Sequence, residues 1–183
     1  MFSRLINSKK FTLVLVGMTL VMAVCLLVSM QSLKVDNVNI MTESAINVMD
    51  ERELVGFSDN VFIGKVVGPE GKVKLGETPE TQYKVEVLSN IKGELEGSVI
   101  VNCLGGEENG VTYTVDNNKP LKEGNTYIFV TRYNEEMNWY TAVPVHGEVL
   151  VENEEQKEKV KEKLEKGFKN QIEKFKDRKE EKQ

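Results

Sequence analysis

The residues of this chain that could do chemistry are few, and they form no recognised catalytic motif. His146 is the only histidine, and it stands between Pro144-Val145 and Gly147. A Ser–His–Asp relay would need this imidazole, but the sequence has no G-x-S-x-G nucleophile motif. We therefore interpret His146 as a loop residue and expect no enzymatic activity.

Acidic side chains that could bind Ca²⁺ weakly occur at Glu107-Glu108, Asp116 and Glu135-Glu136. None has the D-x-[DN]-x-[DN]-G spacing of a calcium loop, and the sequence has no G-x-x-x-x-G-K-[ST] phosphate loop. Solvated loop charge is the simpler interpretation. The sequence thus predicts neither a bound metal nor a cofactor.

Tyr133 and Trp139 are the residues that the sequence favours as part of a ligand-binding face. They flank Asn134-Glu135-Glu136, which predicts a hairpin turn. Exposed aromatic side chains at this hairpin could hold a peptide or a glycan. The alternative is that Trp139 closes one end of the β-domain, because most tryptophans are largely buried.

An apolar run at residues 11–30 determines where these side chains would work. It contains no charged residue, eleven of its twenty residues are Phe, Leu or Val, and Arg4, Lys9 and Lys10 precede it. Twenty helical residues span about 30 Å, the thickness of the hydrocarbon core of a bilayer. Because basic residues favour the cytoplasmic side, the sequence predicts a single-pass anchor in the cell membrane, with a cytoplasmic N-terminus and an extracytoplasmic C-terminal domain.

A cleaved signal peptide is the alternative interpretation of this run. The apolar core of such a peptide has about 7–15 residues and ends at small residues spaced as A-x-A. Ala23-Val24-Cys25 has that spacing, but Leu26-Leu27-Val28 continues the apolar run beyond the cleavage point. We therefore favour the uncleaved anchor, and in either case the rest of the chain is exported.

Charge and cysteine content narrow the class of the exported domain. Residues 31–153 carry 10 basic and 20 acidic side chains, a net charge of −10, which disfavours nucleic acid as a ligand. Cys25 lies in the apolar run and Cys103 in the exported part, so these two cysteines cannot pair. Exported domains without disulfides are unusual in eukaryotes, and we expect a bacterial protein, from a Gram-positive organism.

The pattern after the anchor predicts a mainly β domain with a helix on either side. Residues 43–56 are compatible with a short helix, and residues 68–80, with three Gly and two Pro, predict a long loop. Six strands and a short closing strand are predicted from alternation and β-branched content, at 61–67, 82–88, 99–103, 111–115, 126–132, 137–142 and 148–151. This pattern favours a small antiparallel barrel.

From Glu154 the apolar period becomes that of a helix. The stripe consists of Val160, Leu164, Phe168, Ile172 and Phe175. We expect this stripe to pack on the barrel, with self-association or contact with a membrane surface as alternatives, and we expect residues 176–183 to fray. The predicted domains are a cytoplasmic arm at 1–10, a transmembrane anchor at 11–30, a spacer and short helix at 31–56, a barrel at 57–151 and a charged amphipathic helix at 152–183.

Three stretches together resemble the bacterial relatives of the netrin module, the OB-fold that is also found in tissue inhibitors of metalloproteinases. They are SDNVFIGKVVG (58–68), YKVEVLSNIKGELEGSVIV (83–101) and PLKEGNTYIFVTRY (120–133). The resemblance covers residues 57–143 and implies an OB-like barrel. The animal inhibitors chelate the protease zinc through a free N-terminal Cys, whereas Cys103 is internal here, so that mechanism does not carry over.

Three hypotheses of function follow from the sequence. The first is a membrane-tethered binding module whose partner is a protein or a component of the cell envelope. The second is a structural or assembly protein that acts through its C-terminal helix. The third, an enzyme, lacks a paired set of catalytic groups, and a regulator that resembles a protease inhibitor is a further alternative to the first.

Overall fold

A computed structural model describes residues 21–22, 36–41 and 43–173. Of residues 1–35 it describes only Val21 and Met22, which are helical, so the predicted arm and nearly all of the predicted anchor lie outside the described residues. No helix within the described ranges is both long and apolar enough to cross a membrane. The fraying predicted for residues 176–183 also lies outside them.

The described chain is mainly β and ends in a helix, as predicted. Its elements in chain order are β1 (Asp36–Ile40), α1 (Glu51–Phe57), β2 (Asn60–Val73), β3 (Glu80–Lys92), β4 (Ser98–Leu104), β5 (Gly106–Glu108), β6 (Val111–Val115), β7 (Thr126–Asn134), β8 (Trp139–Ala142), β9 (Glu148–Leu150) and α2 (Glu154–Lys169).

The main sheet curves back on itself into a partly closed barrel. Its strand order is β2–β3–β4–β8–β7–β9, and β2 also pairs with β7. The ladders are antiparallel except between β4 and β8, which run parallel over Val101 and Asn102. Strands β1, β6 and β5 form a separate three-stranded sheet.

Strands β2 and β7 are apolar on both faces because they separate two hydrophobic cores. Inside the barrel, the rings of Phe62 and Phe129 stack with centroids 5.2 Å apart. On the outer face, Val61, Ile63 and Ile128 pack in a second buried cluster with residues of α1 and α2. A strand buried on both faces has a continuous apolar run in its sequence, and Val61-Phe62-Ile63 of β2 is such a run.

The long loop predicted at 68–80 is instead mostly part of a hairpin. Strand β2 continues to Val73, and the irregular register between Val66 and Gly71 shows bulges in its ladder with β3. Pro69 is tolerated because it lies beyond Lys65, the last β2 residue in the ladder with β7, so no partner there needs its missing N–H group.

The helix predicted at 43–56 is shorter than expected. Helix α1 begins only after its N-cap Asp50, whose carboxylate accepts a hydrogen bond from a backbone N–H group. Earlier in this segment, the side chains of Ser44 and Asn47 accept hydrogen bonds from the N–H groups two residues further along. These local bonds compete with helix formation and hold the segment in turns.

Helix α2 packs against α1, so its apolar stripe is part of the protein's own core. Leu164 is buried in the second cluster, and the backbone of Gly167 lies directly against Glu51. A β-carbon at Gly167 would be 2.8 Å from the carbonyl oxygen of Glu51. The prediction that this stripe packs on the barrel is confirmed for Val160 and Leu164, which lie in the second cluster with residues of β2 and β7, whereas Phe168 is 38% exposed.

The close contact at Gly167 gives a sharp test of this packing. Within a helix, Gly→Ala normally stabilises by about 1 kcal/mol. We predict that Gly167→Ala instead lowers the free energy of unfolding by about 1–2 kcal/mol, because α2 must move away from α1. Urea unfolding measures the change. Gly76→Ala is the control, since no atom lies within 4 Å of the added carbon; a gain in stability at Gly167 would contradict the packing described.

Candidate functional site

The two predicted aromatic residues flank the β7–β8 hairpin but lie on opposite faces of the sheet. In the ladder, Tyr133 is opposite Tyr140, whereas Trp139 is opposite Asn134. Since successive residues of a strand point to opposite faces, Trp139 and Tyr140 cannot share a face. The structure therefore does not bring Tyr133 and Trp139 together, and it is Tyr140 that lies beside Tyr133.

The Tyr133–Tyr140 pair forms a fixed, partly exposed aromatic surface. The ring centroids are 5.0 Å apart, and Tyr133 is 39% exposed. The Tyr133 hydroxyl donates a hydrogen bond to Asn138 Oδ1 at 2.8 Å, and its backbone N–H donates to the Asp59 carboxylate at 3.0 Å. Met137, in the same hairpin, is 44% exposed. Because both ends of Tyr133 are held, this surface is ordered before any ligand binds.

Trp139 is largely buried, with 9% of its surface exposed. Its Nε1–H group has no hydrogen-bond partner. On the neighbouring strand β4, Asn102 is fully buried; its Nδ2 donates to the Glu80 carboxylate, and its Oδ1 accepts no hydrogen bond. In this arrangement Trp139 contributes mainly to packing.

The wall of the barrel is incomplete between β4 and β9. Strands β8 and β9 follow one another along the same edge of β7, with Ala142 opposite Thr131 and Glu148 opposite Phe129. Strand β4 pairs with β3 on one edge and with β8 on the other, where the ladder ends at Asn102. No described ladder therefore joins Cys103, near the end of β4, to Glu148 on β9. We call this opening, with its lining residues Tyr83, Cys103, Leu121 and Glu148, the barrel gap.

The segment 118–122 covers the barrel gap. Leu121 is buried in the inner core beside Tyr83 and Cys103. The next residue, Lys122, donates its backbone N–H to the Tyr127 hydroxyl at 3.0 Å. These two contacts hold the covering segment against the end of the barrel.

Glu148 is the unusual ionisable group of the barrel gap. Burial raises the pKa of its carboxyl to about 7, although a hydrogen bond with the Cys103 thiol acts in the opposite direction. Its Oε2 is buried and has no hydrogen-bond partner. Burial also raises the pKa of Tyr83 to about 12 and that of Cys103 well above its ordinary value. Near neutral pH the gap can therefore gain or lose one proton at Glu148, while its thiol stays protonated and unreactive.

The other residues considered from the sequence do not gather into a site. His146 lies in the segment between β8 and β9, whereas Glu107 and Glu108 lie on β5 near Lys72 and Lys74. Within the described ranges, no three side chains of the types that ligate metals lie close enough together to hold an ion.

The sequence missed both Tyr140 and Glu148. The alternation that predicted β8 covers Tyr140, but only the register shows that Tyr140 faces Tyr133. Glu148 begins a predicted strand, and a charged residue at a strand end is ordinarily exposed. No signal in the sequence marked it as buried.

Comparison with known proteins gives no family for this chain. No protein-family model matches it, and no curated protein matches it.

The buried carboxyl predicts an unusual dependence of stability on pH. Between pH 4.5 and about 7 the folded protein holds a proton on Glu148 that the unfolded chain has lost, so the free energy of unfolding falls as the pH rises through this window. The total loss is at most about 3 kcal/mol. Glu148→Gln removes it, so we expect the variant to gain stability over wild type as the pH rises.

Urea unfolding between pH 4.5 and 8.5 measures this difference. Glu86→Gln, at an exposed position on β3, is the control for the loss of one acidic group. If the Glu148→Gln and wild-type curves stay parallel over the whole range, the carboxyl is not held neutral by burial.

Proposed function

We propose that the domain is an OB-like barrel related to the netrin module. The OB-fold is a five-stranded, partly open barrel. Five strands, β2, β3, β4, β7 and β8, make up the partly closed barrel here, with β2 pairing on both sides and β4 parallel to β8. The three stretches that carry the resemblance fall on β2, on β3 with β4, and on β7. Their strand order supports the proposal.

We further propose that the protein is a membrane-tethered, extracytoplasmic binding module without enzymatic activity. The apolar run at 11–30, with basic residues before it, supports the tether and the orientation. The Tyr133–Tyr140 pair carries the binding proposal, because an ordered and partly exposed aromatic surface is well suited to contact a partner at small cost in conformational entropy.

The chemistry of this surface favours a glycan or peptide partner in the cell envelope. Aromatic rings offer apolar contact, and the Asn138 amide, whose Oδ1 already accepts from the Tyr133 hydroxyl, offers its NH₂ group for a hydrogen bond. The net charge of −10 over residues 31–153 makes nucleic acid an unsuitable partner.

An assembly function of the C-terminal helix is less well supported. Leu164 and Gly167 of α2 are already buried, with Gly167 against the backbone of Glu51. Phe168 is 38% exposed, but the Lys92 ammonium lies 5.8 Å from the centre of its ring. This leaves little of the described stripe for a partner. A role like that of a protease inhibitor is also less favoured, because Cys103 is buried.

The binding proposal predicts that one face of the hairpin controls affinity. Co-sedimentation of the full-length protein with purified cell-wall sacculi should give an affinity at least tenfold weaker for Tyr133→Ala than for wild type. The reason is the loss of one wall of the aromatic surface. Phe168→Ala is the matched control on α2. Loss of binding in Phe168→Ala alone would favour the assembly function, and no binding by any form would exclude a glycan of the wall.

The tether predicts the topology of the protein in cells. With tags at both ends, protease treatment of intact cells should remove the C-terminal tag and spare the N-terminal one. Lysed cells, in which both tags should be cleaved, are the control. Protection of the C-terminal tag in sealed cells would contradict the predicted orientation.

A further inference from the structure

Glu148 lines two adjoining spaces, a small cavity and a larger surface cleft. The cavity has a volume of about 20 Å³ and lies beside Cys103 and Tyr83, and this is room for one water molecule. The cleft, of about 380 Å³, lies on the other side, beside Tyr127 and Leu150. Both spaces share Glu148 and the segment 118–121, so these residues form the wall between them.

The surroundings of Glu148 in this wall favour the neutral carboxyl. Oε2 of Glu148 is buried and accepts no hydrogen bond, and a protonated carboxyl tolerates this far better than a carboxylate does. The ionisable groups that line the cavity with Glu148 are the Cys103 thiol, the Tyr83 and Tyr113 hydroxyls and the exposed Lys119, and Glu80 acts on Cys103 from β3. Lys119 is the one cation among them, and it also lines the cleft.

The surface cleft provides one cationic group more than the cavity does. It is open to water, and its lining includes Lys119 and Lys122 on the covering segment together with the Tyr127 hydroxyl. A carboxylate that turned from the cavity into this cleft would be hydrated and would face two ammonium groups. To turn, it must displace Pro120 and Leu121, which lie between the two spaces.

We propose that protonation of Glu148 controls the barrel gap: the neutral carboxyl keeps the segment 118–122 closed over Cys103, and ionisation opens that segment to solvent. The proposal is independent of the function assigned to the Tyr133–Tyr140 surface. It rests on the incomplete wall between β4 and β9, on the two spaces that Glu148 lines and on the unpartnered oxygen. The pKa of about 7 places the change in the range that an extracytoplasmic domain meets.

The reactivity of the Cys103 thiol measures whether the barrel gap is open, because the thiol lines the cavity and is otherwise buried. In the full-length protein with Cys25→Ala, Cys103 is the single thiol. The rate of its alkylation by N-ethylmaleimide is measured between pH 5.5 and 8.5. Each rate is divided by the rate for the urea-unfolded chain at the same pH, which removes the ordinary increase in thiolate with pH.

We expect the corrected rate to rise at least tenfold between pH 5.5 and 8 and to level off above that. In Glu148→Gln, the amide cannot ionise, and the rate should stay low and independent of pH. Glu86→Gln, which removes an exposed acidic group from β3, should behave as wild type. A flat corrected rate in wild type, or a step that persists in Glu148→Gln, would overturn the proposal.

Hydrogen exchange of the wild-type chain gives a second test that does not depend on a variant folding. After correction for base catalysis, a peptide that contains the Lys122 N–H should lose protection as the pH rises from 5.5 to 8.5, because its bond to Tyr127 is broken on opening. A peptide from the centre of β7 should not change. Equal protection of the covering segment at both pH values would rule out the opening.

Discussion

The ladder between β2 and β7 is the contact on which the rest of the structure depends. It joins β2 and β7, the first and fifth strands in the order of the main sheet, over six residue pairs, from Asn60–Thr131 to Lys65–Thr126. This ladder turns an open sheet into a barrel. Each strand then has one face in the barrel and one face beneath the helices. Phe62 and Phe129 fill the first core, and Val61 and Ile128 belong to the second. Without this ladder neither α1 nor α2 would have an apolar surface to cover.

The same ladder explains why the barrel cannot close completely. With one edge of β7 occupied by β2, its other edge must serve both β8 and β9. The chain leaves that edge between Ala142 and Glu148. The ladder of β4 with β8 ends at Asn102, so β4 has no neighbour on this edge beyond that residue. The barrel gap is thus a consequence of strand order, and its position places Glu148 beside the inner core.

The partly buried side chains of Lys92 and Glu148 show opposite solutions to desolvation. The Lys92 ammonium donates hydrogen bonds to the carbonyl oxygens of Val55 and Ser58, both at 2.7 Å, and to Gln171 Oε1 at 3.0 Å. A charge with such partners links α1, β3 and the segment after α2. Glu148 has no equivalent set of hydrogen-bond partners. Its carboxyl avoids the cost of desolvating a charge by holding a proton. In a domain that folds without a disulfide, a loss of about 3 kcal/mol is a large part of the usual 5–15 kcal/mol of stability.

Local pattern predicted seven of the nine described strands, all except β1 and β5, but it could not predict how the strands are paired in register. The strand predicted at 82–88 from alternation lies within β3. The predicted helix was shortened by side-chain bonds at Ser44 and Asn47, whose energies are small and depend on local geometry. The candidate site was harder to predict than the strands, because it depends on which residues of different strands are opposite one another. A shift of one residue would exchange Trp139 for Tyr140 beside Tyr133, and the sequence carries no signal that distinguishes these registers.

Register also separates the two sites along the barrel. Counting along the inner face of β7, Tyr133 lies at one end, Thr131 and Phe129 follow, and Glu148 is opposite Phe129. The barrel gap is therefore level with the stacked rings of Phe62 and Phe129, four residues along β7 from Tyr133. The gap can open by movement of the segment 118–122, which contacts the far end of the barrel. Because a closely packed core resists such a displacement, the proton at Glu148 and a ligand at Tyr133 should act independently unless the ligand also reaches the covering segment.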